Sequence, residues 1–251
     1  MPQNDKKPSL PLRVIRWFIQ PRGAGGVILR AALAVCLFLL LNTGRYVVWP
    51  PVARLATDPP EMTSFMEYRI QEARAAGNDL KITYQWQEMR RISSYLQLAV
   101  TIAEDDLFWD HQGFDFASIR NALESNLRAG RITAGGSTIT QQLAKNLYFT
   151  PEKSMLRKIK EAIIAWRLER NLSKEQILEL YLNVVEWGPG IFGAEAASRA
   201  YFKKSASRLT AREAAQLASM LPNPLVRTPN SAIVQRKSNG IVRTMQRRGA
   251  L

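Results

Sequence analysis

The sequence is poor in the residues that metal and thiol chemistry uses. Its 251 residues include one cysteine, Cys36, and one histidine, His111. A single cysteine excludes an intramolecular disulfide, and one of each excludes the familiar Cys/His zinc sites and iron–sulfur clusters. A nucleophile activated by a histidine base has only His111 to use. Acidic residues are also scarce, 21 against 35 Lys and Arg, for a net charge of +14. Chemistry therefore falls to carboxylates, hydroxyls, amides and cations. The charge asks for an anionic partner: nucleic acid, a membrane surface or a phosphorylated substrate. What is present is globular: 46% hydrophobic and 22% charged residues exclude wholesale disorder. The length suits one good-sized domain or two small ones around a packed core.

Long apolar runs are rare, and the one that matters is near the start. Residues 1–26 are polar, basic and rich in Pro and Gly, and read as a tail. Residues 27–49 then form a span in which Ala31–Leu41 carries no charge, with Arg30 and Arg45 near its ends. Twenty-three residues cross a bilayer if those arginines snorkel to opposite interfaces. Tyr46 and Trp49 suit the far headgroup layer. No small-x-small cleavage site follows Leu41, so the run reads as an uncleaved anchor. The preceding flank carries Lys6, Lys7, Arg13, Arg16, Arg22 and Arg30 against Asp5 alone. The positive-inside rule then predicts a cytoplasmic N-terminus and an exported domain.

Residues 50–60, with Pro50-Pro51 and Asp58-Pro59-Pro60, read as a linker. Residues 61–231 read as the main domain and 232–251 as a basic, weakly helical tail. Within the domain, apolar periodicity predicts helices over about 61–76, 93–104, 116–128, 138–148, 154–170, 174–182, 194–202 and 212–220. A short extended segment is expected within Lys81–Glu88. Two capping boxes, Ser173 with Gln176 and Thr210 with Glu213, mark helix starts. The fold expected is mainly α.

Three clusters depart from ordinary amphipathic patterning. Glu104-Asp105-Asp106-Leu107-Phe108-Trp109-Asp110-His111-Gln112-Gly113 follows an apolar helix. A carboxylate at a helix C-terminus opposes the dipole, which raises the basicity of Glu104 and suits a general base. A solvated acidic turn is the plainer alternative. Next, Gly135-Gly136-Ser137-Thr138-Ile139-Thr140-Gln141-Gln142-Leu143-Ala144-Lys145-Asn146 opens a helix whose free N–H groups suit an anion. Thr138, Gln142 and Lys145 share one face, and a merely capped helix is again the alternative. Third, Arg157, Lys158 and Glu161 meet on one helix. Met155, Ile159, Ala162, Ile163 and Trp166 are expected as its main packing stripe. Ile164 and Leu168 beside Glu161 suggest burial on a second side, with a surface salt bridge as the alternative.

Together these clusters resemble glycosyltransferase family 51, the peptidoglycan glycosyltransferases. The first matches the family's E-D-x-x-F-x-x-H-x-G run at Glu104, Asp105, Phe108, His111 and Gly113. The second matches from Gly135 to Asn146, and the third at Arg157, Lys158 and Glu161. A fourth is met by Lys174, Ile177, Leu178, Glu179, Tyr181, Leu182 and Asn183, and a fifth by Gly193, Ala197, Tyr201, Phe202 and Lys204. Five motifs in order, over roughly residues 90–225, are specific where any one is weak.

The resemblance implies a lysozyme-like helical glycosyltransferase domain with a smaller membrane-proximal lobe, after one N-terminal transmembrane helix. No Ser-x-x-Lys or Lys-Thr-Gly is present, so a member without a transpeptidase domain is expected. The implied reaction polymerises lipid II into β-1,4-linked glycan with inversion, releasing undecaprenyl diphosphate. Glu104 is the implied base. Lys145, Arg157 and Lys158, with Lys153, are the implied diphosphate cations. Lys153 stands where many relatives carry arginine, so bidentate phosphate geometry is lost there. Glu161 orients those cations or binds Mg2+ or another divalent ion beside the diphosphate; no organic cofactor is implied. Asp105, Phe108, His111, Ser137, Thr138, Gln141, Gln142 and Asn146 complete the substrate-binding set. The implied partners are lipid II, the growing lipid-linked glycan, the bilayer of a bacterial inner membrane and proteins of cell division or wall synthesis. The outward topology and scattered basic residues weigh against nucleic acid. A lytic transglycosylase is a rival reading, but it has no use for the cation set.

Overall fold

The computed structural model describes residues 23–131, 135–152 and 154–251, and the chain divides after Val48 into two compact units. The first unit is an apolar helix, α1 (Gly23–Gly44), with no buried residue. Its 22 residues rise about 33 Å at 1.5 Å each, matching a hydrocarbon core of about 30 Å. The helix starts four residues before the expected span and gives way at Gly44 to a 3-10 turn over Arg45–Val47. Of the basic residues that set the predicted topology, Arg30 lies in α1 and those before position 23 lie outside the described residues.

The second unit begins with a surprise for the expected linker. Val52–Ala56 forms a 3-10 turn that packs against the helix Met155–Asn171, with Val52 1% exposed. An apolar residue among the prolines is enough to dock this segment.

Nine helices of the second unit follow among the described residues. These are α2 (Ser64–Ala75), α3 (Ser94–Glu104), α4 (Phe116–Ala129), α5 (Ile139–Tyr148), α6 (Met155–Asn171), α7 (Lys174–Val184), α8 (Ala194–Phe202), α9 (Ala211–Met220) and α10 (Ala232–Arg247). Their starts are written in side-chain chemistry. Thr63 caps α2 and Asp115 caps α4, while Thr138, Ser173 and Thr210 build full capping boxes at α5, α7 and α9. A small sheet completes the unit. Its central strand β3 (Ile191–Phe192) runs parallel to β1 (Thr83–Tyr84) and antiparallel to β2 (Glu186–Gly188).

The helices pack as two groups. In one, α5 lies against α2, α6 and α7; in the other, α9 lies against α3 and α10. Ile139, Leu143, Ile164, Leu168, Ile177 and Leu178 are fully buried in the first group, and Leu96, Val100, Leu217 and Met220 in the second.

Two sequence expectations change here. The residues from 232 on are no weak tail: α10 buries Val234, Ser238, Ile241 and Met245. Their i, i+4, i+7, i+11 spacing makes one face, which packing on α9 stabilises beyond its local propensity. On α6 the expected packing stripe is the wrong one. Met155, Ile159 and Trp166 are 81%, 49% and 45% exposed, while Glu161, Ile164, Ala165 and Leu168 face the core. The neighbouring helices lie on the side that carries the carboxylate, and periodicity alone does not choose between two apolar rows.

Candidate active site

The site lies where the two helix groups meet, at the C-terminal end of α3. Glu104 Oε2 accepts a 2.8 Å hydrogen bond from Gln142 Nε2 of α5. Tyr181 of α7, fully buried, donates through its hydroxyl to Gln142 Oε1 at 3.0 Å. A Tyr hydroxyl facing an amide oxygen fixes which way the amide points, so the NH2 must face Glu104. Glu104 Oε1 is left buried with no hydrogen-bond partner. Burial raises the Glu104 pKa above its ordinary value, opposed by the Gln142 hydrogen bond and the charges of Lys145, Lys237 and Arg227. The basicity expected from the helix dipole therefore has desolvation as its main cause.

Beneath Glu104 the first two motifs interlock. Asp105 Oδ2 accepts from the backbone N–H of Ile139 at 2.9 Å, and its Oδ1 lies 2.8 Å from His111 Nε2. The Gly113 N–H donates to His111 Nδ1 at 3.1 Å, so Nε2 carries the proton that Asp105 accepts. Thr138 Oγ1 donates to the Gly113 carbonyl at 2.7 Å and accepts from the Gln141 N–H at 3.2 Å. The Gln141 side chain returns to the Thr138 N–H at 3.2 Å. The N–H groups at the start of α5, expected to await an external anion, are thus partly used by the protein. Asp105 supplies the negative charge.

Two glycines permit this closeness. Gly113 has φ +86°, and a Cβ there would stand 3.0 Å from Glu169 Cγ. A Cβ on Gly136 would stand 2.8 Å from Ile119 Cα, inside contact distance of α4. Phe108 is fully buried in the same corner, with Trp109 edge-on at 5.1 Å and Lys174 Nζ 4.5 Å from its ring centre.

The cations gather beside Glu104. Lys145, one turn on from Gln142, has its pKa lowered by burial first; Glu161 and Glu104 oppose the shift, and Arg157 and Lys158 reinforce it. Its Nζ lies 5.6 Å from the ring centre of Phe65 on α2. Glu161 is 1% exposed and pairs with both its helix neighbours, Arg157 through Oε1 and Lys158 through Oε2 at 3.1 Å. Lys158 also donates to Ser137 Oγ at 2.9 Å, tying the third motif to the second. Arg157 and Lys158 pair with Glu161, and Lys145 is acted on by Glu161 and Glu104, so three cations face two carboxylates and the cluster is short of negative charge. Asn146 is buried on the inner face of α5, and Lys153 lies outside the described residues.

The arrangement suits an anion better than a divalent ion at Glu161. Both its oxygens already face cations, and no group of three Asp, Glu, His or Cys among the described residues could hold a metal.

The remaining motifs mostly support. Asn183 brackets Gln87 with two 2.8 Å hydrogen bonds, and Glu179 accepts from the Met89 N–H at 2.6 Å. Buried Glu195 accepts from the Ala206 N–H at 2.8 Å and pairs with Arg199 at 2.7 Å. Sequence reasoning passed over four residues of the site. Tyr181 was visible in its motif without a role. Glu169, receiving Thr140 at 2.5 Å and Lys174 at 2.8 Å, stands two turns on from Glu161. Arg227 and Lys237 looked like scattered charge.

A buried carboxylate with one free oxygen beside an undercompensated cation cluster defines a class: an acid–base site for substrates with an anionic leaving group. The comparisons give the family. The Transglycosylase family model matches residues 73–246, and the chain belongs to that family. A biosynthetic peptidoglycan transglycosylase of Aromatoleum aromaticum is 52% identical over 205 residues, 81% of this chain and 86% of the relative. One from Azoarcus sp. is 51% identical over 197 residues, 78% and 84% of the two chains. One from Neisseria gonorrhoeae is 39% identical over 238 residues, covering 93% and 94%.

Proposed function

We propose that this chain is a peptidoglycan glycosyltransferase that polymerises lipid II for cell-wall synthesis. The observation that carries this reading is the unpaired Glu104 Oε1 with Lys145 acting on it, and Arg157 and Lys158 acting in turn on Lys145. Glu104 takes the proton from the acceptor 4-hydroxyl as that oxygen attacks C1 of the donor sugar. The bond from C1 to the diphosphate oxygen breaks in the same displacement, and configuration inverts. The lipid diphosphate leaves with its charge met by Lys145, Arg157 and Lys158. Binding that anion also relieves the electrostatic crowding of Lys145. Gln142 holds the base, and Asp105, His111 and Thr138 hold the helix that carries Gln142. No step uses a metal at Glu161, whose oxygens are engaged.

We further infer that α1 anchors the domain in a bacterial inner membrane, with the N-terminus cytoplasmic and residues 50–251 periplasmic. The substrate is itself a membrane lipid, so anchoring confines the search to two dimensions. The test is incubation of the full chain with purified lipid II. Glycan polymer is the expected product in the wild type. In Glu104→Gln, lipid II still binds and no polymer forms. Full activity of that variant would remove Glu104 from the role of base.

A further inference from the structure

We propose that Phe65 of α2 is a positioning residue for the reaction: its ring holds the ammonium of Lys145 in place and leaves that charge whole for the departing diphosphate. The proposal rests on the glycosyltransferase reading above. Lys145 Nζ lies 5.6 Å from the ring centre of Phe65, within reach of a cation–ring attraction. Among the described residues no hydrogen bond or ion pair ties this ammonium down; Glu161 and Glu104 act on it through space. Burial disfavours the charged form of Lys145, and the ring opposes that by attracting the ammonium.

This manner of holding sets Lys145 apart from its neighbours. Arg157 and Lys158 are fixed by Glu161, and a carboxylate that fixes a cation also cancels much of its charge. An aromatic ring attracts a cation through its quadrupole and carries no net charge. It restrains a long, flexible side chain while leaving the full positive charge for an anion. A leaving group whose charge develops as its bond breaks is stabilised most by a cation already in position.

The ring is itself well held. Thr63 Oγ1 accepts from the Met66 N–H at 3.2 Å, so the cap of α2 closes the turn that carries Phe65. Phe65 is buried in a cluster with Met66 and Phe192, against Ile82 and Tyr84. A second cation shares the ring: Arg69, one turn on, stands with Cζ 5.1 Å from the same centre. Two bare cations at one ring would repel, but Arg69 is neutralised. Its Nε and Nη2 each lie 2.9 Å from Glu186 Oε2 on β2, and its Nη1 lies 2.6 Å from Glu72 Oε2. The charge of Arg69 is thus met within the protein, and Lys145 is the cation at this ring left for substrate.

The test changes the charge distribution of the ring and keeps its shape. Phe65 is replaced in the full chain by mono-, di- and trifluorophenylalanine through a suppressor tRNA, and lipid II polymerisation is followed in detergent. Each fluorine draws electron density from the ring face and weakens its hold on a cation. The kcat should fall stepwise along the series, by roughly threefold to thirtyfold in total, the size of a desolvated cation–ring contact. The KM for lipid II should change less than about twofold, because the leaving-group charge is met in the transition state. Phe65→Leu, which removes the ring, should lose at least as much kcat, with thermal scans checking that it folds. The same fluorinated series at Phe192, which shares the packing cluster, serves as the control and should leave kcat unmoved. In Arg69→Met/Glu186→Gln, which removes the second cation with its buried partner, the Phe65 series should keep its slope.

A kcat that stays flat across the Phe65 series overturns the proposal and leaves the ring a packing role only. An equal slope at Phe192 also overturns it, since fluorine would then act by disturbing the core. So does a slope lost in Arg69→Met/Glu186→Gln, which would make Arg69 the cation that the ring serves. A wild-type chain that makes no polymer would overturn the glycosyltransferase reading itself.

Discussion

Glu104 is held in an environment that makes it a stronger base and a less comfortable residue. Its raised pKa means that the folded state binds a proton more tightly than the unfolded chain does. Between the two pKa values stability therefore falls as pH rises, and above the folded value the full penalty remains. Glu104→Gln removes it. That variant should melt higher than wild type near pH 8, with the gain vanishing below the ordinary glutamate pKa of about 4.3, as thermal scans across pH would show. On the proposed mechanism activity has the opposite sign, because a base at Glu104 must be ionised. The rate should fall with acidification from a higher pH than an ordinary glutamate would give. Gln142→Leu removes a hydrogen bond that favours the ionised form, so it should move that limb of the pH–rate profile further upward. Tyr181→Phe leaves Gln142 free to flip its amide. Loss of one neutral hydrogen bond predicts a roughly threefold to tenfold lower kcat, with the KM for lipid II little altered.

At the scale of elements, α5 is the part on which the site depends. Its first turn is closed by the Thr138 capping box and by Asp105 from α3, and its next turns carry Gln142 and Lys145. Thr138→Ala should cost about 1 kcal/mol of stability, the usual worth of a helix N-cap, measurable by urea denaturation. It also frees the Gly113 carbonyl, so activity should fall further than stability alone explains. For α6 the contrast lies between its two apolar rows. Ile164→Ala should cost about 2–5 kcal/mol as a core truncation, whereas Met155→Ser, on the 81% exposed residue, should stay within about 0.5 kcal/mol. Equal costs would mean that the exposed row is packed in solution.

For the molecule as a whole, the charge of +14 divides by place. Residues 1–50 hold seven basic residues against one acidic, and the remainder carries a net +8. The first part is the charge that the proposed topology puts on the cytoplasmic side, and the second includes the cations around the site. The division after Val48 suggests how to separate anchoring from catalysis. A chain lacking residues 1–48 should keep its melting temperature and its rate on detergent-dispersed lipid II, and lose turnover on lipid II in liposomes. An equal rate in liposomes would leave the helix a targeting role only.

Sequence alone determined the elements and much of their chemistry. Apolar periodicity and capping residues located most helices of the main domain to within a few residues, because both signals are local. Ordered motifs picked out Glu104, Lys145, Arg157, Lys158 and Glu161 as the residues to watch. Tertiary structure decided what each one meets. Glu104 and Gln142 are 38 positions apart, Gln142 and Tyr181 39, and Asp105 and Ile139 34. No local signal encodes such pairs. The same holds for burial: two apolar rows on α6 look alike in sequence, and only the position of α5 and α7 selects the row that carries Glu161. The C-terminal helix is the clearest case, since its stability comes from packing against α9 and α3.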